Sequence, residues 1–575
     1  MFDEELLKKN KVLEKEWEER FSAMLEGKPL KKHTNSSDIE LKSLYTPDDI
    51  KDIDYNDISL PGLYPFTRGH HPIQYRANPL IMSHGFGFGT GEETTERREF
   101  FKKMGSAFRT GESGGEDTAV YVLVTDLPTQ RGYDPDEPQS RGKVGEGGLS
   151  ISTVDDFEVL FKGISDVDKV LTIPIAFDSI LSTLALWAVY MEDRRKEPVD
   201  KMFSLSCNLF NHQWWSDSGA FPPQACMRLS TEYIKWHLEN APLSFPLMLD
   251  GFNPHTAGAN PVQEIAFDIA HVTAAIEECV KAGMDPDDVA SRCWSHPGFS
   301  LDFFEDIAKL RAMRRLWAKV MKERLNCKRD DSLKFNTYIA QTHGMELTAQ
   351  EPLNNIIRIT TMAISAMLAG VDGLWVAAYD EALCIPTEEA AKIVVRTYQI
   401  LSMETDIPHV TDPLGGSYYV EWLTDKLFRE SEKVLKKIEE LGGYYKCWES
   451  GWMKGELQEN ANRRFRQFKS GEKVKVGTTI YQTENFPSCE VFRVSSESEK
   501  RAVENVRRYR ERRDNAKAEA AMSDLREACR RIDQEWPDSC GCLLEAMIGG
   551  ARAGLTLGEM NGILREVFNW GFYAD

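Results

Sequence analysis

The sequence predicts an α/β fold, a (β/α)8 barrel of TIM type with an N-terminal helical arm and a C-terminal helical extension. Three observations predict it. Short apolar runs recur from residue 119 onward, at 119–125, 170–176, 202–206, 245–249, 291–294, 336–340 and 373–378, with an eighth expected at 407–411. They are rich in β-branched and aromatic residues, as buried strands are. Between them lie segments with apolar residues at helical spacing, at 180–192, 227–238, 262–282, 303–323, 354–368, 388–402 and 418–441. Strands alternating with helices of this length make βαβ units and a parallel sheet, and eight such units close into a barrel.

Taken in order, residues 1–44 read as a helical arm and linker. Leu6, Leu7, Val12, Leu13, Trp17, Phe21 and Leu25 recur at helical spacing among Glu and Lys, and such a stripe needs a partner subunit or the barrel to cover it. Residues 45–118 form a lead-in rich in Pro, Gly and aromatics, with little periodicity up to residue 90. The barrel takes 119–441, and 442–575 is a linker and charged helical region, with Thr556 opening its last helix. Several expected strands carry Ser, Thr, Asn and Arg, so a polar inner lining is expected, with something threading the axis.

Loops at strand ends are where barrels place their chemistry. The first such loop, 126–138, holds Arg131, Asp134, Asp136 and Glu137 between Pro128 and Pro138. His255, His296 and His343 each follow a strand. His255 reads either as a general acid or carbonyl donor, or as a loop histidine holding backbone. A metal site there is disfavoured because no carboxylate pattern accompanies the three. Asp380-Glu381 follows the seventh run, suited to gripping ribose hydroxyls or moving a proton, or else to complementing a helix dipole. The Gly85–Gly91 stretch lacks G-x-G-x-x-G spacing and reads as a tight loop. Trp214-Trp215 reads as core or interface.

The chain has 575 residues and a net charge of −21, which argues against nucleic acid or an anionic membrane as the main ligand. No apolar run reaches the roughly 20 residues needed to span a bilayer, and the N-terminus lacks a signal core. The 11 cysteines are scattered singly, apart from Cys540-Gly-Cys542, which fits buried thiols in a reducing, cytoplasmic setting.

Several blocks then become recognisable: Tyr45-Thr-Pro-Asp-Asp, Pro65-Phe-Thr-Arg-Gly69, Asp126 to Asp134, Phe303 to Ala312, Leu347-Thr-Ala-Gln350, Asn354-Asn355, Asp380-Glu-Ala382 and Asp412 to Glu421. In this order they resemble the methylmalonyl-CoA mutase family from about residue 44 onward. The resemblance implies a barrel that holds an acyl-CoA along its axis beneath adenosylcobalamin, whose cobalt–carbon homolysis starts a radical rearrangement. The family's cobalt-ligating D-x-H-x-x-G loop is absent from this sequence. The resemblance therefore implies a large subunit that recruits a separate small cobalamin-binding subunit, as in the isobutyryl-CoA and 2-hydroxyisobutyryl-CoA members. A hetero-oligomer follows, with a G-protein chaperone as a further implied partner.

The resemblance also places residues. Leu127, Gln130, Gly147, Gln341, Gly344, Glu381 and Ala382 match the cofactor side, with Glu381 as the carboxylate that holds the adenosyl ribose. Gln130 replaces a family His, Thr256 a Glu and Ala377 an Asn. The substrate side, at His71, Tyr75, Asn78, Ile81, Ser83, Gly85, Thr172, Ser206, Ser216, Arg292 and Trp294, departs further. Asn78 and Ser83 replace two Arg that grip CoA phosphates, Gly85 a Tyr that wedges against the adenosyl group, and Ser216 the Arg that pairs with the methylmalonyl carboxylate. Asn253 replaces the His that donates to the thioester carbonyl, so Asn253 and His255 are the catalytic candidates. Val122, Pro174 and Trp294 fill small hydroxyl positions along the axis. Losing a bidentate Arg would leave a dicarboxylate's charge unpaired in a buried site, so a neutral or hydroxylated acyl group is expected. The alternatives are a non-catalytic structural partner of an active mutase, or a mutase whose substrate carries no CoA.

Overall fold

A computed structural model describes residues 2–25, 32–105, 120–162, 171–201, 204–205, 221–483 and 491–568. The architecture is mixed α/β, with helices packed around short parallel strands.

The strand Ile81–Phe86 is the centre of the largest sheet. It pairs in parallel with Val120–Val124 on one side and Gly373–Trp375 on the other, bringing the two ends of the βα region together. Val120–Val124 pairs with Leu171–Ile175, Gly373–Trp375 with Ala340–Thr342, and that strand with Gly298–Phe299. A second parallel pair joins Leu247–Leu249 to Cys293–Ser295. Parallel bridges Leu205↔Phe245 and Trp294↔Asn336 extend the same succession.

Ile81–Phe86 lies in the stretch that sequence reading left without periodicity. Its apolar residues are interrupted by Ser83, His84 and Gly85, which removes the alternating pattern that marks a strand. Conversely, the strand expected at 407–411 is absent. Ile407–His409 is a 3-10 turn, and Pro408 within it supplies no N–H for a ladder.

The expected helices are found at Ile180–Val189, Pro223–Asn240, Pro261–Lys281, Phe303–Glu323, Asn354–Ala369, Glu388–Met403 and Tyr418–Glu440. Caps fix several starts: Asn260, Thr387, Ser417 and Thr556 each accept from a backbone N–H of the first turn. The arm is a helix over Glu4–Leu25 with no buried residue, and Trp17 stacks on Phe21 at 4.8 Å.

The loop 126–138 is anchored rather than free. Buried Asp126 caps Leu127–Gln130 through Thr129 N at 2.9 Å and accepts from Gly145 N at 2.6 Å. Asp134 and Asp136 both pair with Arg510 of the Ser496–Arg512 helix, at 2.6 and 2.8 Å. Its charge serves to clamp the C-terminal helices onto the strands. No described helix is long and apolar enough to cross a membrane.

Candidate functional site

The C-terminal ends of the strands carry a cavity of about 270 Å³ walled by Gly85, Phe88, Arg97, Gly147, Trp375 and Glu381. Each wall has a local cause. Gly87 turns the chain at the end of Ile81–Phe86 with φ +142, where a Cβ would lie 2.2 Å from Val124 O. Thr90 and Glu93 then form a capping box that starts the helix Gly91–Lys103, which carries Arg97. Across the cavity, Asp380 Oδ2 accepts from Thr387 N at 3.0 Å and Thr387 Oγ1 at 2.8 Å, tying the 376–387 loop to the start of Glu388–Met403.

Glu381 is half-buried, and burial pushes its carboxyl up to about 7, against a hydrogen bond from Ala378 N at 3.3 Å. A Cβ on Gly344 would come within 2.7 Å of Glu381 Oε1, so the two match positions meet. Arg97 Nη2 donates to Pro386 O at 3.1 Å, while its buried Nη1 has no hydrogen-bond partner. Its guanidinium lies 5.4 Å from the Phe88 ring centroid. Asp380 Oδ1 is likewise buried without a partner.

Beyond Gly344 the rim continues as a column of rings. Phe252 stacks on His343 at 4.6 Å, and His343 on His255 at 4.1 Å. Gly298 makes this possible, since a Cβ there would fall 1.9 Å from His343 Nε2. Burial drives His343 well below the ordinary histidine value, so it is neutral in the stack. His296 Nε2 lies 3.1 Å from Gln341 Oε1, and its Nδ1 3.6 Å from Asp250 Oδ1. Asn253 Nδ2 donates to Asp250 Oδ2 at 2.6 Å. Carboxylates do accompany these histidines, contrary to expectation. The sequence concealed them because Asp250 sits at a strand end and Glu264 a turn into the following helix.

Beneath the column, His255 Nδ1 lies 3.4 Å from Glu264 Oε2, which also receives Lys309 Nζ at 2.9 Å. Lys309 is fully buried and also meets Asp306 Oδ1 at 3.0 Å and Gly298 O at 2.6 Å. Burial opposes its charge, but Asp306 and Glu264 hold the ammonium above its ordinary value. Neither Glu264 nor Lys309 was given a role from sequence.

The strand interior differs from expectation. Val122, Leu205, Met248, Trp294 and Ile339 form a buried apolar cluster, joined by Ile81, Val124, Tyr338 and Trp375. The polar lining expected along the axis is replaced there by dense apolar packing. Ser83 is buried within the same strand as Gly85, its Oγ without a hydrogen-bond partner. Gly85 lies flat against Trp375, whose Cζ2 would be 1.9 Å from an added Cβ. Trp375 thus fills space beside the position where the family Tyr was expected, and sequence reading missed it inside an apolar run.

The remaining match positions scatter. Leu127 and Ala382 are exposed near the rim, and Gln130 Nε2 donates to Thr125 O at 2.6 Å. His71, Tyr75, Asn78 and Arg292 lie at the opposite, N-terminal end of the strands. There Tyr75 Oη donates to Val371 O at 2.7 Å, Arg292 Nη1 donates to Ser244 O at 3.1 Å, and Asn78 is exposed. Thr172 is in the Leu171–Ile175 strand opposite Tyr121. Ser206, Ser216 and Trp214-Trp215 lie outside the described residues.

Residues 34–570 match the family described as methylmalonyl-CoA mutase. The chain is 33% identical to the 2-hydroxyisobutanoyl-CoA mutase large subunit of Aquincola tertiaricarbonis over 98% of its own length and 96% of that protein. It is 32% identical to a methylmalonyl-CoA mutase of Rhizobium meliloti, over 96% of this chain and 75% of that one. It is 31% identical to the human mitochondrial methylmalonyl-CoA mutase, over 99% and 73%.

Proposed function

Because the chain belongs to the methylmalonyl-CoA mutase family, we propose that it is the large subunit of an adenosylcobalamin-dependent carbon-skeleton mutase, an isomerase acting on a neutral or hydroxylated acyl thioester. In this reading the parallel strands, with Ile81–Phe86 in place of the one expected at 407–411, close into a (β/α)8 barrel. The cofactor is held mainly by a small partner subunit, a reading supported by the words "large subunit" in the name of the Aquincola relative.

The observation that carries this reading is that Glu381, Gly147 and Gly85 line one rim cavity, with Gly344 against Glu381. The residues present fit a nucleoside there. Glu381 offers a carboxylate to ribose hydroxyls, Gly147 leaves open space, and Arg97 Nη1 awaits an acceptor. When bound, the cofactor supplies the radical that begins the rearrangement. The chain's own part is to orient and polarise. In this reading His255, braced by Glu264 and Lys309, or Asn253, held by Asp250, donates to a thioester carbonyl. The ring column and the apolar cluster exclude water.

The same apolar packing favours a second reading. A pantetheine arm could thread the axis only by displacing Trp294 and Met248, so the substrate would reach the rim without CoA, or the chain would serve as a non-catalytic partner. Reconstitution with a small cobalamin-binding subunit and adenosylcobalamin separates these. Isomerisation of an uncharged acyl-CoA, with methylmalonyl-CoA inert, supports the main reading. Turnover of methylmalonyl-CoA overturns the substrate class, turnover only of acyl groups lacking CoA supports the second reading, and inertness throughout leaves the structural role.

A further inference from the structure

At the end of the strands opposite the rim, one set of side chains lies apart from the rim cavity. His70, His71 and Asp372 each bring a ligand atom to within 4.8 Å of the others, the one such group of three among the described residues. We propose that these three residues bind a divalent first-row transition cation of the zinc class.

The donor set suits that ion. Two imidazoles and one carboxylate are ligands shared by Zn²⁺, Co²⁺ and Ni²⁺, at bond lengths of roughly 2.0–2.2 Å. Drawing three atoms already this close around one ion needs only small side-chain rotations. Asp372 is held in place, its Oδ2 accepting from Thr337 N at 2.7 Å, which leaves Oδ1 facing His70 Nε2 at 3.2 Å. His70 is 4% exposed, and its Nδ1 has no hydrogen-bond partner. The His71 ring lies 4.3 Å from that of His70 and is half-buried. A fourth position toward the half-buried His71 would take water.

Position gives the site a role. Asp372 directly precedes the strand Gly373–Trp375, and its carbonyl accepts from Ile81 N at 2.8 Å. A metal here would clip the 60–80 segment to the strand that closes the succession, at the end of such folds where residues serve stability rather than chemistry. Other groups face Asp372 too. Gln74 Nε2 lies 3.3 Å from Oδ1, while Arg314 and Lys334 add positive charge nearby. These define the competing structure, a metal-free clasp in which His70 simply donates to Asp372.

The test uses the full chain stripped with chelator and titrated with Zn²⁺ by calorimetry and with Co²⁺ by visible absorption. One equivalent bound, with a rise in Tm, is expected, and His71→Ala should abolish both. His409→Ala, at an exposed histidine elsewhere, should bind as wild type. Because Asp372→Asn could unfold the chain, His71→Ala carries the decision. Absence of stoichiometric binding, or equal binding by His71→Ala, overturns the site.

Discussion

The rim and the interior of the strands are built from the same chain segments and follow opposite rules. At the rim, several buried polar atoms have no hydrogen-bond partner: Arg97 Nη1, Asp380 Oδ1, His255 Nε2 and both ring nitrogens of His343. In the interior, a few ångströms along the same strands, Val122, Met248, Trp294 and Ile339 pack with 2% exposure or less. An unsatisfied buried polar group costs about 1–3 kcal/mol, so a cluster of them marks a place where folding is not the only demand. Apolar packing carries no such cost. On the proposed reading the rim binds the ligand, and the interior packing supplies stability.

The contrast can be broken at its most expensive point first. Lys309→Met removes the ammonium that pairs with both Glu264 and Asp306 and should cost about 3–5 kcal/mol, read as a lower denaturant midpoint, while freeing His255 from its brace. Trp294→Ala should cost a similar or slightly smaller amount, roughly 3–5 kcal/mol by cavity formation, yet leave nucleoside binding at the rim intact. If Trp294→Ala abolished that binding, rim and interior would not be separable. A finer probe is the pair Gly85 and Trp375. Gly85→Ala alone should cost about 1–3 kcal/mol through overpacking, and adding Trp375→Leu should recover part of it, with a coupling of roughly 0.5–3 kcal/mol in a double-mutant cycle.

Much of the fold was legible because long helices advertise themselves. Phe303–Glu323 and Tyr418–Glu440 follow their apolar periodicity closely. The strands were harder, since most run only two to six residues and Ile81–Phe86 mixes Ser, His and Gly with its apolar positions. The site was legible only where a residue sits beside its own partner in sequence, as Asp380-Glu381 does. Glu264 with Lys309, Gly85 with Trp375 and His70 with Asp372 meet across 45, 290 and 302 positions by subtraction of their numbers, and no local pattern records such pairings. The partner of the charged loop at 126–138 was hidden for the same reason, because Arg510, which pairs with Asp134 and Asp136, is hundreds of residues away.

The account rests most heavily on Glu381 as the carboxylate that grips a nucleoside at the rim. Its carboxyl is pushed up to about 7, so it gains its charge, and its full strength as an acceptor of hydroxyl protons, as pH rises through that value. Calorimetric titration of 5′-deoxyadenosine into the full chain between about pH 6 and 8 should show affinity rising by up to roughly tenfold. Glu381→Gln should bind at least about tenfold more weakly at the upper end and with no pH dependence, at unchanged Tm. Equal affinity in the two proteins, or no binding by either, would contradict it.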